Sequence, residues 1–296
     1  QYYAVSGEEK ALELARAAFF WMEVNAHDKE HGGYFEFLER SGTPLGHEME
    51  ADEFGRTPGK GLKDYNSSIH ILEAFTTLYK VWPDALVKKR LEEMFLLIRD
   101  TFVHPDGYLQ LYFYPDWTLV PDAIMLKRSG GEAYHSQHIT YGHDVETAFL
   151  LLEAAHALGL EHDARTMDIA KRMVDHSLAH GWDEENGGFF YMGKLEDGKE
   201  VIISKEKGFW VEVEALNALL LMHTLHPDDE NDYYGKFLAT WDYIDAYLID
   251  KEYGGWFSNG LDQSPDSREQ LKSHGWKTTY HNTRGMVHCI EMLKGL

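Results

Sequence analysis

One cysteine, Cys289, is all that the 296 residues contain. A lone thiol excludes an internal disulfide framework and a thiolate metal cluster, and it is compatible with a reducing compartment. Basic residues are scarce as well: 28 Lys and Arg against 50 Asp and Glu give a net charge of −22. A phosphate backbone needs clustered cations to displace its counterions, so this composition argues against nucleic acid and anionic membrane and leaves small neutral ligands open. Long apolar runs are missing. Stretches such as Ala148 to Leu152 fall far short of the roughly 18 to 20 residues of a membrane span, and no basic segment precedes an apolar one at the start. The expectation is a soluble, cytoplasmic protein. H-E-x-x-H, G-x-S-x-G, Walker and G-x-G-x-x-G patterns are also lacking. The close histidine pair His135-Ser-Gln-His138 lies in a Gly- and Ser-bearing loop and reads as solvated, so no metal is expected there.

What the chain does have is self-similarity. Asp28-Lys-Glu-His-Gly32-Gly33-Tyr34-Phe35, Asp183-Glu-Glu-Asn-Gly187-Gly188-Phe189-Phe190 and Asp250-Lys-Glu-Tyr-Gly254-Gly255-Trp256-Phe257 share one pattern, D-x-x-x-G-G-aromatic-aromatic. A degenerate copy, His104-Pro-Asp-Gly107-Tyr108, falls between the first two. The spacing is that of a helical hairpin with a long loop. Amphipathic helices are predicted ahead of each marker, over Glu8–Val24, Ala85–Val103, His162–Ala179 and Asn231–Leu248. More apolar helices are predicted after each, over Ser67–Val81, Gly142–Leu158, Phe209–His226 and His281–Leu293, on the 3.6-residue period. Outer and inner helices in alternation suggest a closed α/α toroid, with an open helical solenoid as the alternative. The glycine pairs fit turns in which φ must be positive.

Gln1 to Gly7 reads as the last turns of an inner helix closed by a glycine cap. Four hairpins are present where the common ring has six, which predicts that roughly 100 residues precede Gln1, the alternative being a four-hairpin domain. The whole of 1–296 is therefore taken as one domain, incomplete at its N-terminus.

Polar residues gather at the inner-helix starts. Asn66, His70 and Glu73 share a helical face at i, i+4 and i+7, which alone also suits an Asn-capped helix with a satisfied histidine. His143 and Glu146 stand at i, i+3, so that the carboxylate can orient the imidazole as a general base. Trp210 and Glu214 at i, i+4 combine an apolar ring face with an acceptor for hydroxyls. The last cluster, Trp276-Lys-Thr-Thr-Tyr280-His281-Asn282-Thr-Arg284, brings a second histidine to a helix start. Arg284 there either binds substrate or pairs with a neighbouring carboxylate.

These last two clusters, joined to Tyr141-Gly-His-Asp-Val-Glu146, to Lys63-Asp-Tyr-Asn66-Ser-Ser-Ile-His70-Ile-Leu-Glu-Ala-Phe and to His31-Gly-Gly-Tyr-Phe35, closely resemble the N-acylglucosamine 2-epimerase superfamily, with the cellobiose 2-epimerase branch as nearest match. The resemblance runs over essentially the whole chain, in family order. It implies an all-α fold, the (α/α)6 barrel, here lacking its first helices. By motif, His143 and His281 match the two histidines that exchange the C2 proton. Glu146 and Glu214 match supporting carboxylates, and His70 matches a third pocket histidine. Asn66, Trp210 and Trp276 match sugar-contacting positions. Phe149 stands where the family often has tryptophan, and Ser68 where it often has histidine. The family's catalytic arginine belongs to the segment before Gln1, and 123–139 looks like an insertion able to reshape the pocket rim.

The implied reaction is epimerisation at C2 of the reducing-end sugar of a β-1,4-linked disaccharide such as cellobiose. A histidine removes the C2 proton of the open-chain aldehyde, and the enediolate is reprotonated from the other face. Neither a metal nor a redox cofactor is called for; the partner is a small sugar, and the protein is expected as a monomer or homodimer. The alternatives are a mannose 2-epimerase or aldose–ketose isomerase on monosaccharides, an N-acylglucosamine 2-epimerase, and a six-hairpin glycoside hydrolase using Glu146 and Glu214. A catalytically silent sugar-binding protein is the remaining one.

Overall fold

Short acidic caps set several helix starts. The Asp64 carboxylate accepts the backbone N–H groups of Asn66 and Ser67, Asp84 accepts that of Leu86, and Asp232 that of Gly235. Each satisfies donors that the first helical turn leaves without a partner. Asp64, and not Asn66, is thus the cap, and the helix it opens starts at Tyr65, two residues ahead of the Ser67 that periodicity suggested.

The computed structural model describes residues 1–46, 56–57, 61–122, 124–127 and 133–295. Its helices are α1 (Tyr2–Ser6), α2 (Glu9–Asn25), α3 (Tyr65–Val81), α4 (Ala85–Leu97), α5 (Tyr141–Leu158), α6 (Ala164–Gly181), α7 (Phe209–Leu225), α8 (Tyr233–Tyr243) and α9 (Tyr280–Gly295). Strands are short: β1 (Arg56–Thr57), β2 (Lys63–Asp64), β3 (Tyr112–Phe113), β4 (Met125–Lys127), β5 (Ala133–His135), β6 (Met192–Glu196) and β7 (Lys199–Ser204). Outer and inner helices fall where the sequence placed them. Gly7 closes α1 in the left-handed region with its N–H on the Tyr3 carbonyl. No helix among the described residues is long and apolar enough to cross a membrane.

Two details depart from the sequence reading. The outer helices at Ala85 and Tyr233 do not run on regularly but end in π turns, Ile98–Phe102 and Ile244–Leu248. The stretch holding His135 and His138 is not a solvated loop. His135 ends β5, which pairs antiparallel with β4, and His138 is buried with Nδ1 on the His135 carbonyl. Of the insertion-like 123–139, residues 123 and 128–132 lie outside the described residues.

The chain divides into two compact units. The first comprises 1–104, 110–138 and 150–166. Within it α3 packs on α4, burying Ile69, Leu72 and Phe75 on one side and Val87, Leu91, Met94 and Phe95 on the other. Phe75 meets Phe19 and Tyr34 edge-on at 5.3 and 5.5 Å. The second unit comprises 105–109, 139–149 and 167–296. Its centre is α7, whose residues 211–220 are all buried, as expected of a helix apolar on every side. α8 and α9 pack against it, as does the β6–β7 hairpin's neighbour α5 through the close approach of Gly142 to Val211.

Each marker is one loop with one clasp. In the first unit Gly32 donates to the Asp28 carbonyl and Asp28 to that of Gly33, and Lys63 binds Asp28 Oδ2 and the Gly32 carbonyl at 2.7 Å each. In the second unit the same loop runs from Asp183 to Gly188, where Lys207 binds Asp183 Oδ2 at 2.5 Å and the Gly187 carbonyl at 2.7 Å. It recurs from Asp250 to Gly255, with Lys272 on Asp250 and 2.8 Å from the Gly254 carbonyl. All six marker glycines have φ between 73° and 80°, a conformation costly for any residue with a Cβ. That requirement explains why all three full markers carry the pair.

Candidate active site

Three inner-helix starts of the second unit build the site. The first turn of α5 presents His143 and, one turn on, Glu146. The start of α7 presents Trp210 and Glu214, and that of α9 presents Tyr280, His281 and Arg284. Glu146 and Glu214 have no exposed surface, and Arg284 is buried too, whereas His143, Trp210 and His281 are half-buried. Carboxylates therefore lie beneath rings that can meet a ligand.

His281 Nδ1 is 2.7 Å from Glu214 Oε1 and 4.0 Å from Glu146 Oε1. Arg284 Nη2 lies 2.7 Å from each of the same two oxygens. Its Nη1 donates to the Tyr280 hydroxyl at 2.5 Å, and the guanidinium lies 4.6 Å over that ring. Burial opposes ionisation of Glu214, but the hydrogen bond from His281 and the charge of Arg284 outweigh it and hold this carboxyl below its ordinary range. An ionised acceptor on Nδ1 makes that nitrogen the N–H of neutral His281, which leaves the Nε2 lone pair available as a base.

Trp210 ties both histidines together. Its ring centroid is 4.5 Å from that of His143 and 5.6 Å from that of His281, with Tyr191 edge-on at 6.1 Å. The indole reaches His143 because position 142 is glycine: a Cβ there would stand 2.8 Å from two atoms of the Trp210 ring and from Val211. His281, Glu146 and Glu214 also bring three ligand-type atoms within 4.8 Å of one another. Arg284 already supplies the positive charge that these two carboxylates face.

The sequence pattern of the N-acylglucosamine 2-epimerase (GlcNAc 2-epimerase) family matches residues 45–284. The chain belongs to the N-acylglucosamine 2-epimerase family. It is similar to a cellobiose 2-epimerase of Ruminococcus albus, with 31% identity over 99% of this chain and 67% of that protein. A cellobiose 2-epimerase of Bacteroides fragilis is 27% identical over 99% of this chain and 68% of its own length. Among solved structures, the cellobiose 2-epimerase of Bacillus thermoamylovorans superposes with a TM-score of 0.80 at 24% identity, covering all of this chain and 68% of that one. The fold is accordingly the all-α, (α/α)6 type that the resemblance implied.

Within this epimerase-family chain the structure assembles His143, Glu146, Trp210, Glu214, His281 and Arg284 in one unit. Arg284 pairs with carboxylates, the second of the two roles the sequence left open. Trp276 is 85% exposed in the turn bridging His274 and Lys277, outside the packed part of this cluster. Phe149 is buried, with its ring 5.2 Å from that of His288. In the first unit Asn66 and His70 stand half-buried on α3, with His70 Nδ1 3.4 Å from Glu73, and Ser68 donates to the Asp64 carbonyl.

Three contributors escaped the sequence reading. Tyr280 meets the His281 ring edge-on at 4.5 Å and holds Arg284, yet in sequence it is only a tyrosine before a histidine. Tyr191, at the end of a marker, gave no signal beyond the aromatic pair. Asp144 is fully buried, and burial pushes its carboxyl up to about 7; its Oδ1 accepts the Leu109 N–H, so it anchors the degenerate marker beside the start of α5.

Proposed function

We propose that this protein is a carbohydrate 2-epimerase that interconverts glucose and mannose at the reducing end of a β-1,4-linked disaccharide such as cellobiose, with His143 and His281 as the proton-exchanging pair. The observation that carries this reading is the single indole of Trp210 packed against both imidazoles, one of them backed by a buried carboxylate. Cellobiose 2-epimerases similar to this chain over 99% of its length support the same substrate class.

The chemistry follows from the groups present. Ring opening exposes the aldehyde, whose carbonyl acidifies the C2 proton. One imidazole removes it, and the electron pair left at C2 delocalises to the C1 oxygen as an enediolate. A proton delivered to the opposite face of C2 by the other imidazolium completes inversion, and the carbonyl re-forms. Trp210 offers its apolar face to sugar C–H groups. Arg284 keeps Glu146 and Glu214 in register beneath His281. The protein acts in this proposal as one catalytic domain of the cytoplasm, where its one buried thiol, Cys289, stays reduced.

The test is incubation with cellobiose in D2O, following C2 by NMR. Deuterium enters C2 as the glucosyl-mannose epimer accumulates, and His281→Asn lowers the rate by about 10²–10⁴-fold, the usual worth of a positioned proton donor or acceptor. Exchange that persists undiminished in His281→Asn would defeat the assignment. A ketose product in place of the epimer would move the reading to aldose–ketose isomerisation, in which the proton is returned to C1.

A further inference from the structure

A second group of ligand-type side chains lies apart from the histidine–carboxylate cluster, on the outer helix α6. His176 and His180 stand one turn apart at i, i+4, on one face of the helix, with ring centroids 4.7 Å apart. Glu200, from β7 of the hairpin, reaches between them. Its Oε2 is 3.0 Å from His176 Nε2 and 3.9 Å from His180 Nδ1, and the three atoms all lie within 4.8 Å of one another.

We propose that His176, His180 and Glu200 form a binding site for a divalent transition-metal ion of the zinc class. Metal–ligand bonds of about 2.0–2.2 Å at tetrahedral angles hold neighbouring ligand atoms about 3.4 Å apart. The two separations seen, 3.0 and 3.9 Å, straddle that value, so small side-chain rotations suffice to close the set. Two imidazoles and one carboxylate suit Zn²⁺, Co²⁺ or Ni²⁺ and not the oxygen-seeking Mg²⁺ or Ca²⁺.

The surroundings are those of a built site. The Tyr141 hydroxyl donates to Glu200 Oε1 at 2.6 Å, which orients the carboxylate and leaves Oε2 turned to the histidines, the outer support that ligating carboxylates ordinarily have. Tyr141 is itself fixed, since a Cβ on Gly181 or Gly193 would fall 2.4 or 2.3 Å from its ring or hydroxyl. Tyr108 walls the other side, 5.3 Å from the His176 ring. The His180 side chain is 45% exposed, giving an ion an entry path and room for a water as fourth ligand. A bound ion would pin α6 to the β6–β7 hairpin, one hydrogen bond away from the α5 turn that carries His143.

The test is calorimetric titration of the chelator-treated protein with ZnCl2, alongside His180→Ala and His281→Ala. His180 is exposed, so its removal does not threaten folding, and His281→Ala removes the other three-ligand group. The expected result is one saturable site, at least 10-fold weaker in His180→Ala and unchanged in His281→Ala, with a rise in melting temperature on adding Zn²⁺ that His180→Ala loses. Equal affinity in wild type and His180→Ala would overturn the proposal, as would the absence of saturable binding or its loss in His281→Ala alone.

Discussion

The second and third markers of this chain close the same loop around the same carboxylate, but they are clasped by lysines from different places. In the second, Lys207 stands two residues before α7, has no exposed surface, and carries its ammonium on Asp183 and the Gly187 carbonyl, 4.0 Å over the Tyr243 ring. In the third, the lysine that precedes the helix is Lys277, three residues before α9, yet Asp250 and Gly254 are held by Lys272, whose side chain is 32% exposed. Lys277 turns to the Trp256 carbonyl and lies 4.8 Å over the Phe209 ring. A buried ammonium with a carboxylate is compensated; one with a single carbonyl is not. Burial, and then the nearby charge of Lys272, push Lys277 down to about 8. The comparison matters for function because Lys207 leads into Trp210 and Glu214, and Lys277 into His281 and Arg284.

The sharpest way to break the comparison is Lys207→Met. It strands the Asp183 carboxylate in a buried loop, and removing one partner of a buried pair costs about 3–5 kcal/mol. Urea unfolding should show a loss of that order; a loss below about 1 kcal/mol, the surface-pair range, would equate the two clasps. Lys272→Met comes next, with a smaller effect that depends on pH. The hydrogen bond from Lys272, followed by backbone N–H groups, holds Asp250 down at about 2. A carboxyl depressed on folding contributes stability that is present above its unfolded value near 3.9 and fades as pH falls toward 2. The melting-temperature gap between wild type and Lys272→Met should therefore be open at pH 6 and narrower at pH 2.5.

Lys277→Met gives the smallest change and one of opposite sense. Because the folded value near 8 lies below the unfolded ~10.4, the native chain binds fewer protons between these pH values, and the group's contribution to stability rises with pH across that window. Lys277→Met should be no less stable than wild type at pH 7, and wild type should gain on it between pH 8 and 10. A variant that melts lower at pH 7 would show that the bond to the Trp256 carbonyl outweighs the burial of charge.

Much of this was legible beforehand, for reasons that differ by residue. The inner and outer helices announce themselves through period and caps, and the glycine pairs through a backbone requirement that no other residue meets cheaply. The clasping lysines were invisible because Lys63 and Lys207 lie 35 and 24 positions from their aspartates, where a charge looks like any solvated charge. Glu214 and His281, 67 positions apart, could be named singly but not paired. The tight turn that holds Trp276 in solvent left no mark in its motif. The π turns leave no mark in side-chain chemistry, since they consist in one extra residue per backbone loop.

Gly142 has a bearing on how this sequence can vary over time. It sits in the first turn of α5, and in a helix alanine is ordinarily the better residue. Here the smallest step away from glycine, one methyl group, lands on Trp210 and Val211 and would lever the indole off His143. The position therefore has no permissive neighbours: a lineage can relax it only by moving or surrendering both the tryptophan and Val211, and with the tryptophan the surface shared by the two histidines. Trp210 and Gly142, on separate helices, can be expected to be gained or lost as a pair.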